Sequence, residues 1–242
     1  MTKSASKPQR KKGRIALITL AVLILALTAV FFVYTQDYYH ADETAKALFT
    51  TNPAVKTEQS LTILSPDAAN DRGVGLIFYP GGKVQETAYL PLLEQLRQNG
   101  LTCVLVRMPF RLAVFNIDAA NGVYAQFPAI SRWYLAGHSL GGAMASSYVE
   151  KNSDRLAGLI LLGAYPVNDA ALPTLAIYGS EDVKLDRTKL ETVADKLEIA
   201  GGNHAYFGNY GEQEGDGTAS ISREAQQAQT VEAILAFIQK TA

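Results

Sequence analysis

Seven short apolar runs recur between residues 60 and 201, and helix-like stretches separate or follow them. The runs are SLTILS (60–65), GVGLIFYP (73–80), LTCVLVRMP (101–109), RWYLAG (132–137), LAGLILLGAYP (156–166), TLAIYG (174–179) and KLEIAG (196–201). Several are apolar almost throughout, as strands covered on both faces are. The helical stretches include ETAYLPLLEQLRQNG, GGAMASSYVEKNSD and SREAQQAQTVEAILAFIQKTA. In the last, Val231, Ile234, Leu235 and Ile238 fall at i, i+3, i+4 and i+7, one apolar stripe to lay on a sheet. This alternation predicts an α/β fold, a mainly parallel sheet flanked by helices, over residues 56–242.

A different kind of segment precedes it. Residues 1–14 carry Lys3, Lys7, Arg10, Lys11, Lys12 and Arg14 with no acid, and residues 15–34 follow as twenty residues without a charge. At about 1.5 Å per residue that run spans about 30 Å of hydrocarbon as a helix. A cleaved signal peptide would show an apolar region of about 7 to 15 residues closed by small side chains. Here the run is longer and ends in the bulky FFVYTQDYY, so it reads as an uncleaved transmembrane signal anchor. The positive-inside rule then leaves the basic terminus in the cytoplasm and everything after about residue 35 outside, with Tyr34, Tyr38 and Tyr39 at the outer interface. Residues 35–55 read as a juxtamembrane stalk.

Charge divides at the same place. Residues 35–242 hold 16 basic and 23 acidic side chains, a net of −7, with no basic run. Nucleic acid is therefore not expected as a partner. The one cysteine, Cys103, lies in the apolar LTCVLV, where a buried structural thiol is expected and no intrachain disulfide can form.

The hexapeptide GHSLGG (137–142) sits between a strand candidate and a helix candidate. Gly137, Ser139 and Gly141 satisfy G-x-S-x-G, the pattern of a nucleophile elbow in that context. The sharp reversal strains the serine backbone, and side chains at 137 and 141 would collide with neighbouring elements. Ser139 would stand over the C-terminal edge of the sheet, at a helix start that favours developing negative charge.

A serine hydroxyl needs a base, and the chain has three histidines. His40 lies in the stalk, and His138 lies inside the elbow with its side chain directed away from Ser139. His204, in GGNHAYFGNYG, follows a strand candidate and precedes the last helix, where a base would reach the sheet edge. The acid that fixes the imidazole tautomer comes from YGSEDVKL: Asp182 first, with Glu181 and Asp186 as alternatives. The order Ser139, Asp182, His204 is that of α/β-hydrolases.

An oxyanion pocket needs two backbone donors. Leu140, the residue after the serine, offers one, and the PGGKV loop offers the amide of Gly82 or Lys83 beside Gly81. A phosphate-binding P-loop is excluded there, because Ile77 stands where its first glycine would be and Val84 replaces its hydroxyl residue.

Together, GHSLGG, YGSED and GGNHAYFG resemble the α/β-hydrolase family, and FYPGGKV with VRMPFRLAVF is similar to its small bacterial dienelactone-hydrolase-like branch. The resemblance covers about residues 57–242. It implies a Ser-His-Asp esterase or related acyl hydrolase without metal or organic cofactor, acting on a small-molecule acyl substrate. By position it makes Ser139 the nucleophile, Asp182 the acid, His204 the base, and Leu140 with Gly82 or Lys83 the oxyanion donors. Dienelactone hydrolases resemble cysteine enzymes at the elbow, so lactone specificity does not transfer to this serine. The short VNDAALP (167–173) leaves no room for a helical lid and implies an open cleft.

Other features carry less. Arg111 could meet an anionic substrate but reads as a solvated surface residue. Glu212, Glu214 and Asp216 alternate in NYGEQEGDG without the full calcium-loop pattern and read as a polar loop that positions His204. Tyr206, Phe207 and Tyr210 either line the cleft or pack that loop. No metal-site motif is present. Two other readings stay open: acyl transfer to an envelope acceptor by the same residues, and a catalytically silent ligand-binding module.

Overall fold

The computed structural model describes residues 8–169 and 172–241, in two compact units, one ending at Tyr38 and the other beginning at Tyr39. Residues 1–7, half of the basic N-terminal segment, lie outside the described residues.

The first unit is helix α1, Pro8–Gln36. Within Lys12–Gln36 an 18-residue window reaches a mean hydropathy of 2.9, and the stretch is long and apolar enough to cross a membrane. The apolar side chains point outward all round, from Leu17 to Val33. A helix with no polar face has no water-facing solution of its own and calls for apolar surroundings.

The second unit is built on eight strands: β1 Val55–Glu58, β2 Leu61–Leu64, β3 Val74–Tyr79, β4 Leu101–Val106, β5 Arg132–His138, β6 Gly158–Leu162, β7 Thr174–Gly179 and β8 Asp195–Ile199. Their spatial order is β1-β2-β4-β3-β5-β6-β7-β8. β1 and β2 pair antiparallel at one edge, and β2 joins β4 antiparallel. Every other neighbour is parallel, so the sheet is mixed but mostly parallel, as the alternation predicts. β3, β4 and β6 are buried at every position, which is why they read as continuous apolar runs.

Helices cover both faces. On one lie α2 (Glu43–Thr51), α3 (Leu90–Gln98) and α6 (Arg223–Lys240), packed over Leu76, Phe78, Tyr134 and Ala136. On the other lie the short α4 (Asn121–Tyr124) and α5 (Leu140–Asn152), over Ile77, Tyr79, Trp133 and Leu135. Alternate residues of β3 and β5 thus serve opposite cores. α6 buries Val231, Ile234 and Ile238 of the stripe read from its spacing, and Leu235 is half-buried. Cys103 is fully buried, and burial pushes its thiol pKa up. Residues 163–169 between β6 and β7 form no helix; Ala170 and Ala171 of VNDAALP lie outside the described residues.

Part of the segment expected as a stalk belongs to the folded unit. Asp42 caps α2 by accepting the Ala45 amide at 3.0 Å, and Ala45 is buried. Ahead of it, residues 39–42 form a strap. Tyr39 donates to the Lys83 carbonyl at 2.8 Å and accepts from the Gln85 amide at 2.9 Å, and Asp42 donates to the Asn209 carbonyl at 2.7 Å.

Candidate active site

β5 runs through the middle of the sheet and ends where α5 begins, and the single residue between them is Ser139. Its backbone lies at φ 51°, ψ −122°, a conformation that non-glycine residues rarely adopt. The turn is held by the Ser139 amide, which donates to the Leu162 carbonyl at 3.0 Å, and by the Ala143 amide, which donates to the Ser139 carbonyl at 3.1 Å. The flanking glycines are steric requirements. A β-carbon on Gly137 would lie 2.6 Å from the Gly141 backbone, and one on Gly141 would overlap the carbonyl oxygens of Tyr79 and Pro80. The tight crossing of β5, β3 and α5 therefore dictates the G-x-S-x-G pattern.

Asp182 sits in the loop after β7 and His204 in the loop after β8. Their side chains meet: His204 Nδ1 and Asp182 Oδ2 are 2.8 Å apart, and both groups are buried. The other carboxylate oxygen accepts the amides of Lys184 and Leu185 at 3.0 and 3.1 Å. A carboxylate accepts only, so Nδ1 carries the proton and Nε2 is left with its lone pair. The alternative acids do other work. Glu181 accepts from the Ser180 hydroxyl, and Asp186 caps the turn Arg187–Leu190 through Thr188.

Asp216 fixes the His204 loop. Its Oδ1 accepts the His204 amide at 3.2 Å and the Gly217 amide at 2.8 Å, and its Oδ2 accepts the Ala205 amide at 2.8 Å. Asn203 and Gln226 lock the same loop to α6, the Asn203 amide donating to Gln226 Oε1 at 3.0 Å and Gln226 Nε2 donating back to the Asn203 carbonyl at 2.8 Å. Phe207 and Tyr210 pack this loop, while Tyr206 lies under the Arg223 guanidinium at 4.6 Å. None of the three lines the cleft that holds Ser139.

That cleft has a volume of about 330 Å³, and Ser139 and His204 both open into it. Leu140, Ala143, Ala164 and Leu185 supply apolar wall, and Tyr165 and Lys184 add polar groups. Gly163, at φ 51°, lies under the histidine and the acid. A β-carbon there would stand 2.9 Å from His204 Nδ1 and 3.2 Å from Asp182 Oδ2. Sequence reasoning missed this residue, and its local setting in LLGAYP gives no sign of the contact.

The oxyanion donors need one correction. The amide of Lys83 donates to the Arg111 carbonyl at 2.9 Å and is not available to a substrate. Gly82 makes no such bond among the described residues, and it lies against Leu140: a β-carbon on it would be 2.8 Å from Leu140 Cδ2. Gly82 and Leu140 are therefore neighbours, and Leu140 opens a thirteen-residue helix. Arg111 is half-buried, not a fully solvated surface residue, and uses its own carbonyl to hold the Lys83 turn. His40 is exposed and His138 is buried, and neither lines the cleft.

Solved structures share this fold. Est1E from Butyrivibrio proteoclasticus superimposes with a TM-score of 0.55 at 14% identity, covering 76% of this chain and 98% of that one. A structure from a study of carboxylesterases of Nitrososphaera gargenis gives 0.56 at 11%, covering 78% and 100%. Dienelactone hydrolase from Anabaena variabilis gives 0.52 at 16%, covering 74% and 92%. At these identities the likeness is one of fold. No curated protein sequence matches the chain. A family model described as the alpha/beta hydrolase family matches residues 75–228, from the second residue of β3 into α6. The chain belongs to the alpha/beta hydrolase family.

Proposed function

We propose that this protein is a serine hydrolase that cleaves a carboxylic ester, or a closely related acyl bond, through an acyl-enzyme on Ser139. The observation that carries the reading is the buried 2.8 Å contact of Asp182 with His204, beside Ser139 in one cleft. His204 Nε2 takes the hydroxyl proton as Ser139 Oγ attacks the acyl carbon. Asp182 stabilises the imidazolium that forms, and the Gly82 and Leu140 amides hold the negative oxygen. The tetrahedral species collapses, the C–O bond to the leaving group breaks, and the imidazolium returns its proton to that alcohol. Water then repeats the sequence on the acyl-serine, giving the free acid and Ser139.

The apolar walls suit a compact acyl group, since about 330 Å³ is at the small end of ligand sites. Esterases and a dienelactone hydrolase among proteins of the same fold support the reaction class. Helix α1 anchors the enzyme in the cell membrane with the hydrolase unit on the extracytoplasmic side, in keeping with six cations before residue 15.

The test compares wild type with Ser139→Ala for labelling by a fluorophosphonate and for hydrolysis of p-nitrophenyl esters of increasing acyl length. Labelling and turnover should both vanish in the variant while the fold persists. Undiminished esterase activity in Ser139→Ala would refute the assignment.

A further inference from the structure

Resting on that reading of Ser139, we infer that Tyr89 and His138 are positioning residues: their side chains tie the serine turn, the Gly81–Gly82 loop and the His204 loop into one hydrogen-bonded unit. His138 precedes Ser139 at the end of β5, so strand alternation sends its ring to the opposite side of the sheet. There it is buried against Tyr89, which ends the turn Glu86–Tyr89 ahead of α3.

The direction of each hydrogen bond can be assigned. His138 Nε2 lies 3.0 Å from the carbonyl oxygen of His204. A carbonyl only accepts, so Nε2 carries the proton and donates. His138 Nδ1 is then the acceptor, and the Tyr89 hydroxyl, 2.8 Å away, donates to it. The same hydroxyl oxygen accepts the Gly81 amide at 3.0 Å. The path runs without a break from Gly81 N–H through Tyr89 O–H to His138, and from His138 N–H to the backbone of His204. Burial and the neighbouring His204 hold the imidazole of His138 well below its ordinary pKa, and burial raises the phenol of Tyr89. Both groups therefore keep the neutral forms this path requires.

The three backbones it joins are those the chemistry uses. Gly81 leads into the Gly82 amide, His138 into Ser139, and the His204 carbonyl belongs to the base itself. The His138 ring also stacks on the His204 ring at 4.6 Å, tilted by 46°, so contact accompanies the hydrogen bond. A rigid link between these elements sets the distance from nucleophile to base and to oxyanion donors, where a displacement of about 1 Å costs about a hundredfold in rate.

The experiment uses the full chain in detergent. Wild type is first labelled with a fluorophosphonate, against Ser139→Ala. Labelling that does not depend on Ser139 would sink the underlying reading, whereas the remaining arms bear on Tyr89 and His138 alone. Tyr89→Phe keeps the ring and removes the hydroxyl, leaving the Gly81 amide and His138 Nδ1 without it. It should lower kcat by about 10- to 100-fold with KM within about twofold, and weaken a boronic acid that forms a tetrahedral adduct on Ser139 by a similar factor. A lowered melting temperature with kcat and boronate affinity both within about twofold of wild type would overturn the inference, as would a change confined to KM. His138→Gln and His138→Leu give a second comparison should Tyr89→Phe not fold. The glutamine amide offers both a donor group and an acceptor and should retain at least about fivefold more kcat than leucine; equal losses would also overturn the inference.

Discussion

Asp182 holds His204 through one carboxylate oxygen at 2.8 Å and spends the other on two backbone amides of its own loop. The carboxylate is thus clamped at both oxygens, and the imidazole it faces has one orientation and one tautomer. Asp182→Asn keeps the shape but can present an N–H to Nδ1, which favours the wrong tautomer. Turnover should fall by about 10⁴-fold with little change in melting temperature. Steady-state kinetics beside a thermal melt would check this; a loss under tenfold would mean the acid is not needed there.

Ser139 occupies a backbone conformation that costs of order 1–3 kcal/mol for a residue with a side chain. Ser139→Gly should relieve it, with a net gain of about 1 kcal/mol after the added freedom of the unfolded chain. For a unit of this size that is a rise of about 2–4 °C in Tm. Calorimetry of Ser139→Gly beside Ser139→Ala separates strain from loss of the hydroxyl. Equal melting temperatures would count against strain in the turn.

Gly163 is the floor beneath the histidine and the acid. Gly163→Ala adds a methyl group 2.9 Å from His204 Nδ1 at a positive φ, so the imidazole must lift or the backbone must shift. Activity should fall by at least about tenfold, with a stability loss of about 1–2 kcal/mol. The NMR resonance of the Nδ1 proton, far downfield in a short bond to a carboxylate, should move or broaden in the variant.

His138 makes stability depend on pH in a definite direction. Its folded pKa lies well below the ordinary 6.5, so in the interval between the two values the unfolded chain binds a proton that the native state does not. Stability is therefore fully present above about pH 6.5 and declines as pH falls below it, by up to about 1.4 kcal/mol per pH unit from this site. Among the described residues, the titratable groups facing the ring are Tyr89, His204 and Tyr210, with Phe207 as an apolar neighbour. Urea unfolding from pH 8 to pH 5 should show this slope in wild type and a shallower one in His138→Gln.

What the sequence made legible was local. A strand buried on both faces must be apolar at nearly every position, so β3, β4 and β6 stood out, and the crossing that forces glycine at 137 and 141 left a readable signature. β1 did not: Val55–Glu58 is an edge strand with three exposed residues and no apolar pattern. α2 buries only Ala45, too little for a stripe. The Lys83 amide looked available because its acceptor, Arg111, lies 28 residues ahead on another loop. Gly163 and the roles of Tyr89 and His138 depend on contacts between distant loops, which no local spacing encodes.

The strap at residues 39–42 bears on how a soluble form of the enzyme would have to be cut. It binds Lys83 and Gln85 on one side and Asn209 on the other, so it stitches the loop after β3 and the His204 loop from outside the family-matched region. A truncation that removes α1 but begins at Tyr39 or earlier retains those stitches. One beginning at residue 56 would carry Ser139, Asp182 and His204 intact and still leave both loops beside them untied at one end.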